Sequence, residues 1–187
     1  MELQGERLIP ATVDATWAAL NDPEVLKGCI AGCESVERTG PDAFQAVVAV
    51  KVGPVSARFK GNLQMTNVQA PNSYTINFDG QGGVAGFGKG SADVALAPEG
   101  TQTKLSYHAK AQVGGKLAQI GSRLVDAAAG KIAEEFFSAF TAHLQAVSAG
   151  AEAVPAVVAA PSPRTNTWVW WVVGAAVLLA LVYVLRR

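Results

Sequence analysis

The sequence predicts an α+β domain, with helices on one face of a curved antiparallel sheet, followed by a C-terminal transmembrane helix. Three observations predict it. Between Phe44 and Ala111 apolar residues fall at every second position, the period of half-buried strands. Between Leu117 and Leu144 they fall three or four apart, the period of a helix with one buried face. From Trp168 to Leu185 the chain carries no charge.

In chain order, Leu3 to Ile9 reads as an N-terminal strand. Trp17 and Leu20 then share one face of a short helix whose expected N-cap is Asp14, because a carboxylate there accepts hydrogen bonds from the first free amides. This helix ends before Asp22-Pro23, and a second spans Glu24 to Cys29. Five alternating runs follow: Phe44 to Val52, Ala57 to Met65, Tyr74 to Phe78, Ala92 to Leu96 and Leu105 to Ala111. Gly53-Pro54, Pro71-Asn72 and Pro98-Glu99-Gly100 separate several of them as turn signals. With the first strand the sheet has six or seven. After Gly114-Gly115 one long amphipathic helix carries Leu117, Ile120, Leu124, Ala128, Ile132, Phe136, Phe140 and Leu144. Gly121, Ala127, Ala128, Ala129 and Gly130 are small; they either leave volume beneath the helix or allow close packing, and composition alone leaves both open.

The remainder divides into Ser148 to Thr167, an Ala/Pro-rich linker with three prolines, and the apolar segment 168–185. Eighteen residues at about 1.5 Å each span roughly 27 Å, enough to cross a bilayer core with little tilt. Trp168, Trp170 and Trp171 at one end and Tyr183 near the other fit the two headgroup levels, where amphipathic rings anchor. The formal charge of the whole chain is zero, but residues 155–187 hold Arg164, Arg186 and Arg187 and no acid, so the tail is +3 and the rest −3. Neither part carries the concentrated positive charge of a nucleic-acid-binding domain. MELQGERLIP has neither the basic nor the apolar region of an export signal, so the expected arrangement is a single-pass anchor in the cytoplasmic membrane with the body in the cytoplasm.

Little in the body asks for catalysis. Gly83, Gly88 and Lys89 are spaced as in a phosphate-binding loop, but Gly90 stands where Ser or Thr would hold magnesium and a strand pattern follows, so a glycine-rich hairpin or bulge is expected there. Cys29 and Cys33 have no further ligands at metal-site spacing and read as small buried thiols. His108 and His143 are isolated, and Glu134 and Glu135 read as the solvated side of the last helix. No metal, no covalent cofactor and no enzymatic activity are expected.

Four stretches then carry a resemblance: PATVDATWAALNDPEVLKGCIAGC from Pro10, VGPVSARFKGNLQMTNVQAPNSY from Val52, GGVAGFGKGSADVAL from Gly82, and QVGGKLAQIGSRLVDAAAGKIAEEFFSAF from Gln112. Together and in order they resemble the carbon monoxide dehydrogenase G-subunit family, over residues 1–145. Ala31 departs from the Pro usual in that family's C-x-P-G-C turn. The resemblance implies a START-like, helix-grip domain over residues 1–147: a curved antiparallel sheet around a long C-terminal helix, enclosing a hydrophobic cavity. It also implies a non-catalytic accessory that brings a molybdenum-containing carbon monoxide dehydrogenase, or a related xanthine oxidase-type hydroxylase, to the membrane. A lipophilic molecule, a respiratory quinone, is the expected ligand. Strand alternation and the helix stripe nominate Trp17, Phe44, Val48, Phe59, Met65, Phe78, Phe87, Tyr107, Ile120, Leu124, Phe136 and Phe140 as its lining, with Tyr107 expected to hydrogen-bond a quinone carbonyl. A ligand-free membrane scaffold and a START-like enzyme acting on an aromatic substrate are the alternatives.

Truncation after Ala149 is expected to move the body from the membrane pellet to the soluble fraction on cell fractionation. A truncated body that stays with the membrane contradicts the 168–185 anchor as the sole attachment.

Overall fold

Alternation in the middle of the chain becomes a ladder in which each strand pairs with the next. The computed structural model describes residues 1–152, with side chains to Ser148, and the 168–185 segment lies outside them. The strands are β1 (Glu2–Ile9), β2 (Cys33–Gly40), β3 (Ala43–Val52), β4 (Val55–Gln69), β5 (Ser73–Gln81), β6 (Phe87–Glu99) and β7 (Gln102–Gly114). They form one curved antiparallel sheet in the order β1-β7-β6-β5-β4-β3-β2. Helices α1 (Val13–Leu20) and α2 (Pro23–Cys29) interrupt the first crossing, and α3 (Lys116–Gln119) and α4 (Ser122–Glu152) follow β7.

Local chemistry sets the ends of these elements. Thr12, not Asp14, caps α1: its Oγ1 accepts from the Ala15 N–H at 3.3 Å, while Asp14 sits inside the first turn, where a carboxylate favours the helix dipole. Asp22 caps α2 by accepting from the Glu24 N–H at 2.9 Å, and Pro23 opens the helix where its missing N–H costs nothing. The glycine-rich segment holds one 3₁₀ turn, Gly83–Ala85, before the chain returns to strand at Phe87. There Gly86 (φ +113°) meets the β7 terminus so closely that an added Cβ would lie 1.9 Å from the Gly114 carbonyl oxygen. Only glycine allows the two backbones to approach in this way.

The single long helix expected after Gly115 is divided. Gly121 adopts φ +93°, outside helical space, and separates α3 from α4. At the start of α4 the buried side chain is Val125, whereas Leu124 is 52% exposed and Ile132 is also exposed. From Phe136 onward the expected stripe holds. Phe140 is 0% exposed and packs with Leu144, Ile9, Ala11, Ala19, Cys29, Leu96 and Leu105. A second cluster, Val36, Phe44, Ala46, Met65 and Tyr74, lies on the β2–β5 side, and Trp17 packs against both. The Trp17 indole meets the Tyr74 ring edge-on at 5.3 Å.

Phe140→Ala is expected to destabilise the fold by about 3–5 kcal/mol, since a void opens where no neighbour is free to collapse. Leu124→Ala is expected to cost under ~1 kcal/mol. Urea unfolding of the full chain in detergent checks both, and equal losses would contradict the packing described.

Candidate functional site

Residues directly opposite in an antiparallel ladder lie on the same face, so the buried side chains identify which face is the core. Tyr107 pairs with Gly5 and Val94, Val94 with Tyr74, Ile76 with Met65 and Ala92, and Phe78 with Leu63 and Gly90. Phe59 pairs with Val48 and Ala57 with Val50, extending the same face to β3. α4 crosses it: Phe137 stacks on Tyr107 with ring centroids 5.1 Å apart. The Arg7 guanidinium lies 5.6 Å from the centre of the Phe137 ring and pairs with Glu134. The C-terminal half of α4 is thus held by aromatic packing and one cation.

Elsewhere on the same face the side chains shrink. Gly61, Gly80 and Gly88 stand side by side across β4, β5 and β6, and Ala92 pairs with Ala109. An added Cβ at Gly88 would meet nothing within 4 Å, and one at Gly80 nothing nearer than 3.9 Å. Around this strip Val48, Val50, Phe59, Leu63, Ile76 and Phe78 remain only half-buried. If the covering helix were packed closely against them, these side chains would be fully buried. Their residual exposure marks an apolar hollow, and such a space suits a lipophilic molecule better than water, which needs polar partners.

The nominated residues fall into distinct places. Val48, Phe59 and Phe78 surround the glycine strip. Phe44, Met65 and Phe140 are buried in the core clusters, with Trp17 and Phe136 packed against them. Ile120 is half-buried at the end of α3. Two positions depart from the expected lining. Phe87 pairs with Gln81 and Gly114, one residue out of phase with Gly88, so its ring lies on the opposite face over Gly114 and is 39% exposed. Leu124 points to solvent because the break at Gly121 rotates the start of α4, which brings Val125 inward. The Tyr107 hydroxyl reaches over Gly5 of β1, where an added Cβ would lie 2.7 Å from it, on the side away from the strip. Tyr74 is the phenol on the β5 side, two residues from Ile76. It is 5% exposed, makes no hydrogen bond among the described residues, and burial pushes its pKa up, so it stays a hydrogen-bond donor. Alternation identifies Tyr74 only as strand; the glycines at inward positions are the signal in the sequence that could have located the hollow.

The outer face of the sheet is polar and internally paired. Gln45 Nε2 donates to Asn62 Oδ1 at 3.0 Å, Asn62 Nδ2 to Asp79 Oδ2 at 3.3 Å, and Thr75 Oγ1 to Asp93 Oδ1 at 2.7 Å. Three open grooves of about 370, 820 and 330 Å³ run along this face. They are open to solvent and bordered by such polar side chains, whereas the inner face around the glycine strip is bordered by Val48, Val50, Phe59, Leu63, Ile76 and Phe78. His108 Nε2 is 2.5 Å from Glu2 Oε1, and that hydrogen bond, with Lys110 beside it, holds the Glu2 carboxyl below its usual range. Burial raises the pKa of both thiols, Cys29 and Cys33, which makes them poor nucleophiles. Among the described residues no three His, Cys, Asp or Glu side chains are grouped to hold a metal ion, and no helix is long and apolar enough to cross a membrane.

Comparison with known proteins fits this architecture. A conserved Geobacillus kaustophilus protein of solved structure is 29% identical, with a TM-score of 0.73 over 78% of this chain and 95% of that one. A START superfamily protein from Mycobacterium smegmatis superposes with a TM-score of 0.62 at 14% identity, covering 78% of this chain and 98% of its own. A Thermus thermophilus protein gives 0.61 at 19% identity, over 79% and 99%. These likenesses establish the START-like fold of the described domain. No curated protein matches the chain. The family model described as the G subunit of carbon monoxide dehydrogenase (CoxG) matches residues 5–145, and the chain belongs to that family.

Proposed function

We propose that this protein is a membrane-anchored accessory that holds a lipophilic molecule, a respiratory quinone, and brings a molybdenum hydroxylase of the carbon monoxide dehydrogenase type to the cytoplasmic membrane. The observation that carries the ligand reading is the half-buried apolar face around Gly61, Gly80 and Gly88, where volume is left beside Phe59 and Phe78. The family supports the partner, since its name ties it to the dehydrogenase. Sequence supports the anchor: the uncharged run 168–185, flanked by aromatic residues and ending in Arg186 and Arg187.

A division of labour follows. The dehydrogenase supplies electrons, the quinone resides in lipid, and this domain shields the quinone's apolar body while presenting it to a soluble enzyme. Tyr74, kept protonated by burial, donates to a quinone carbonyl from the inner end of this face, beyond Ile76 and away from the 3₁₀ turn. The protein itself contributes binding and position, with no acid or base of its own in the reaction.

Solvent extraction of the detergent-purified chain followed by mass spectrometry is expected to release quinone in near-stoichiometric amount. An empty protein that still captures the dehydrogenase would establish the scaffold instead. Gly88→Leu, which places a side chain in open space without backbone strain, is expected to cut the co-purified quinone at least tenfold while leaving the unfolding midpoint nearly unchanged. Tyr74→Phe is expected to weaken retention by roughly three- to tenfold, the worth of one hydrogen bond. Unaltered quinone in both variants contradicts the placement of the ligand.

A further inference from the structure

The hollow lies at one end of the domain, and that end differs chemically from the rest of the surface. The β3–β4 turn at Gly53-Pro54, the 3₁₀ turn before β6, the end of β7 and the start of α4 all meet there. Three large apolar side chains protrude from it: Val84, 84% exposed at the tip of the 3₁₀ turn, Phe87 and Leu124. They stand on three separate segments, the 3₁₀ turn, β6 and α4. The loop that carries Val84 is fixed in place by the close backbone approach of Gly86 to Gly114 and Gly115.

Around them lie five exposed basic residues, Lys51, Lys60, Lys89, Lys116 and Arg123, none in an ion pair among the described residues. Of the carboxylates nearby, Glu34 pairs with Arg58 and Glu2 with His108 and Lys110, while Asp79, opposite Lys89 in the β5–β6 ladder, and Asp126 keep their charge, fewer than the basic residues around them. The opposite end carries Asp22, Glu24, Asp42 and Glu99 against Arg38 and Lys104. A body of net negative charge therefore presents a cationic, apolar-tipped end. Protruding apolar side chains ringed by lysine and arginine match the two layers of an anionic bilayer, hydrocarbon below and charged headgroups above.

The geometry points to this end as a second membrane contact, which docks the mouth of the hollow on an anionic lipid surface with Val84, Phe87 and Leu124 entering the headgroup boundary. The inference rests on the proposed function for its membrane and its cargo, and it adds an orientation: a quinone passes between bilayer and hollow without crossing water.

The test uses the full chain with Cys29→Ala and Cys33→Ala, carrying a bimane label on Val84→Cys, reconstituted with phosphatidylcholine vesicles with and without phosphatidylglycerol. Flotation reports the tail; quenching of the label by doxyl lipids reports the face. Strong quenching on the anionic vesicles and little on the neutral ones is expected. Lys51→Glu, Lys116→Glu and Arg123→Glu together are expected to abolish it, at about fivefold in docked fraction per basic residue lost, while flotation is unchanged. Chains that float on anionic vesicles alone and are quenched there refute the tail anchor but uphold the face. Equal exposure of the label on both vesicles, or quenching that survives the charge reversals, overturns the proposal and leaves the face to a protein partner.

Discussion

The site depends on α4 being gripped by the sheet along only part of its length. Phe136, Phe137 and Phe140 fill the space between helix and sheet near Ile9, Leu105 and Tyr107, and Arg7 holds the helix edge through Glu134 and the Phe137 ring. Burying Phe140 alone contributes on the order of 2 to 3 kcal/mol from the area it removes from water. With that half of the helix anchored, the other half need not be packed tightly for the domain to hold together. The sheet can then forgo side chains at Gly61, Gly80 and Gly88, and the missing volume becomes a space for something else.

Two kinds of glycine therefore serve the site in different ways. Gly86, Gly115 and Gly121 adopt positive φ and shape the chain: the first two let the 3₁₀ turn and the β7 terminus touch, and the third breaks the helix. Gly88, in ordinary strand conformation with open space beside it, matters because it has no side chain. The first kind positions the rim of the hollow and the protruding Val84, and the second provides its floor. The basic residues cluster on the same rim because the β3–β4, β5–β6 and β7–α3 connections bring Lys51, Lys89 and Lys116 to one end of the domain.

Period-two alternation is enough to find β3 to β7 and their inward face, since each strand has one apolar side. It fails at β2, where Val36 is the single buried residue of an edge strand otherwise polar, and β2 is visible in the sequence only as the uncertainty between six strands and seven. The glycine-rich stretch hides the phase of β6: with no side chains to mark inside and outside, hydrophobicity assigns Phe87 to the core, and pairing with Gly114 places it on the other face. Helical periodicity runs through Gly121 without a mark, because a stripe spaced three and four apart tolerates a break that keeps the register approximately in step. Tyr107 and Tyr74 are indistinguishable by alternation. Their difference is tertiary: one hydroxyl lies over Gly5 at the sheet edge, and the other ring is buried beside Trp17.

The central claim is that the ligand occupies the inner hollow and not the polar outer grooves. Photolabelling of the full chain with an azidoquinone, followed by peptide mapping, tests it most directly. Adducts on the strands around the glycine strip, on peptides holding Phe59, Leu63, Ile76 and Phe78, are the predicted result. Adducts confined to the outer groove near Asp93 and His108, or no saturable labelling at all, would contradict it.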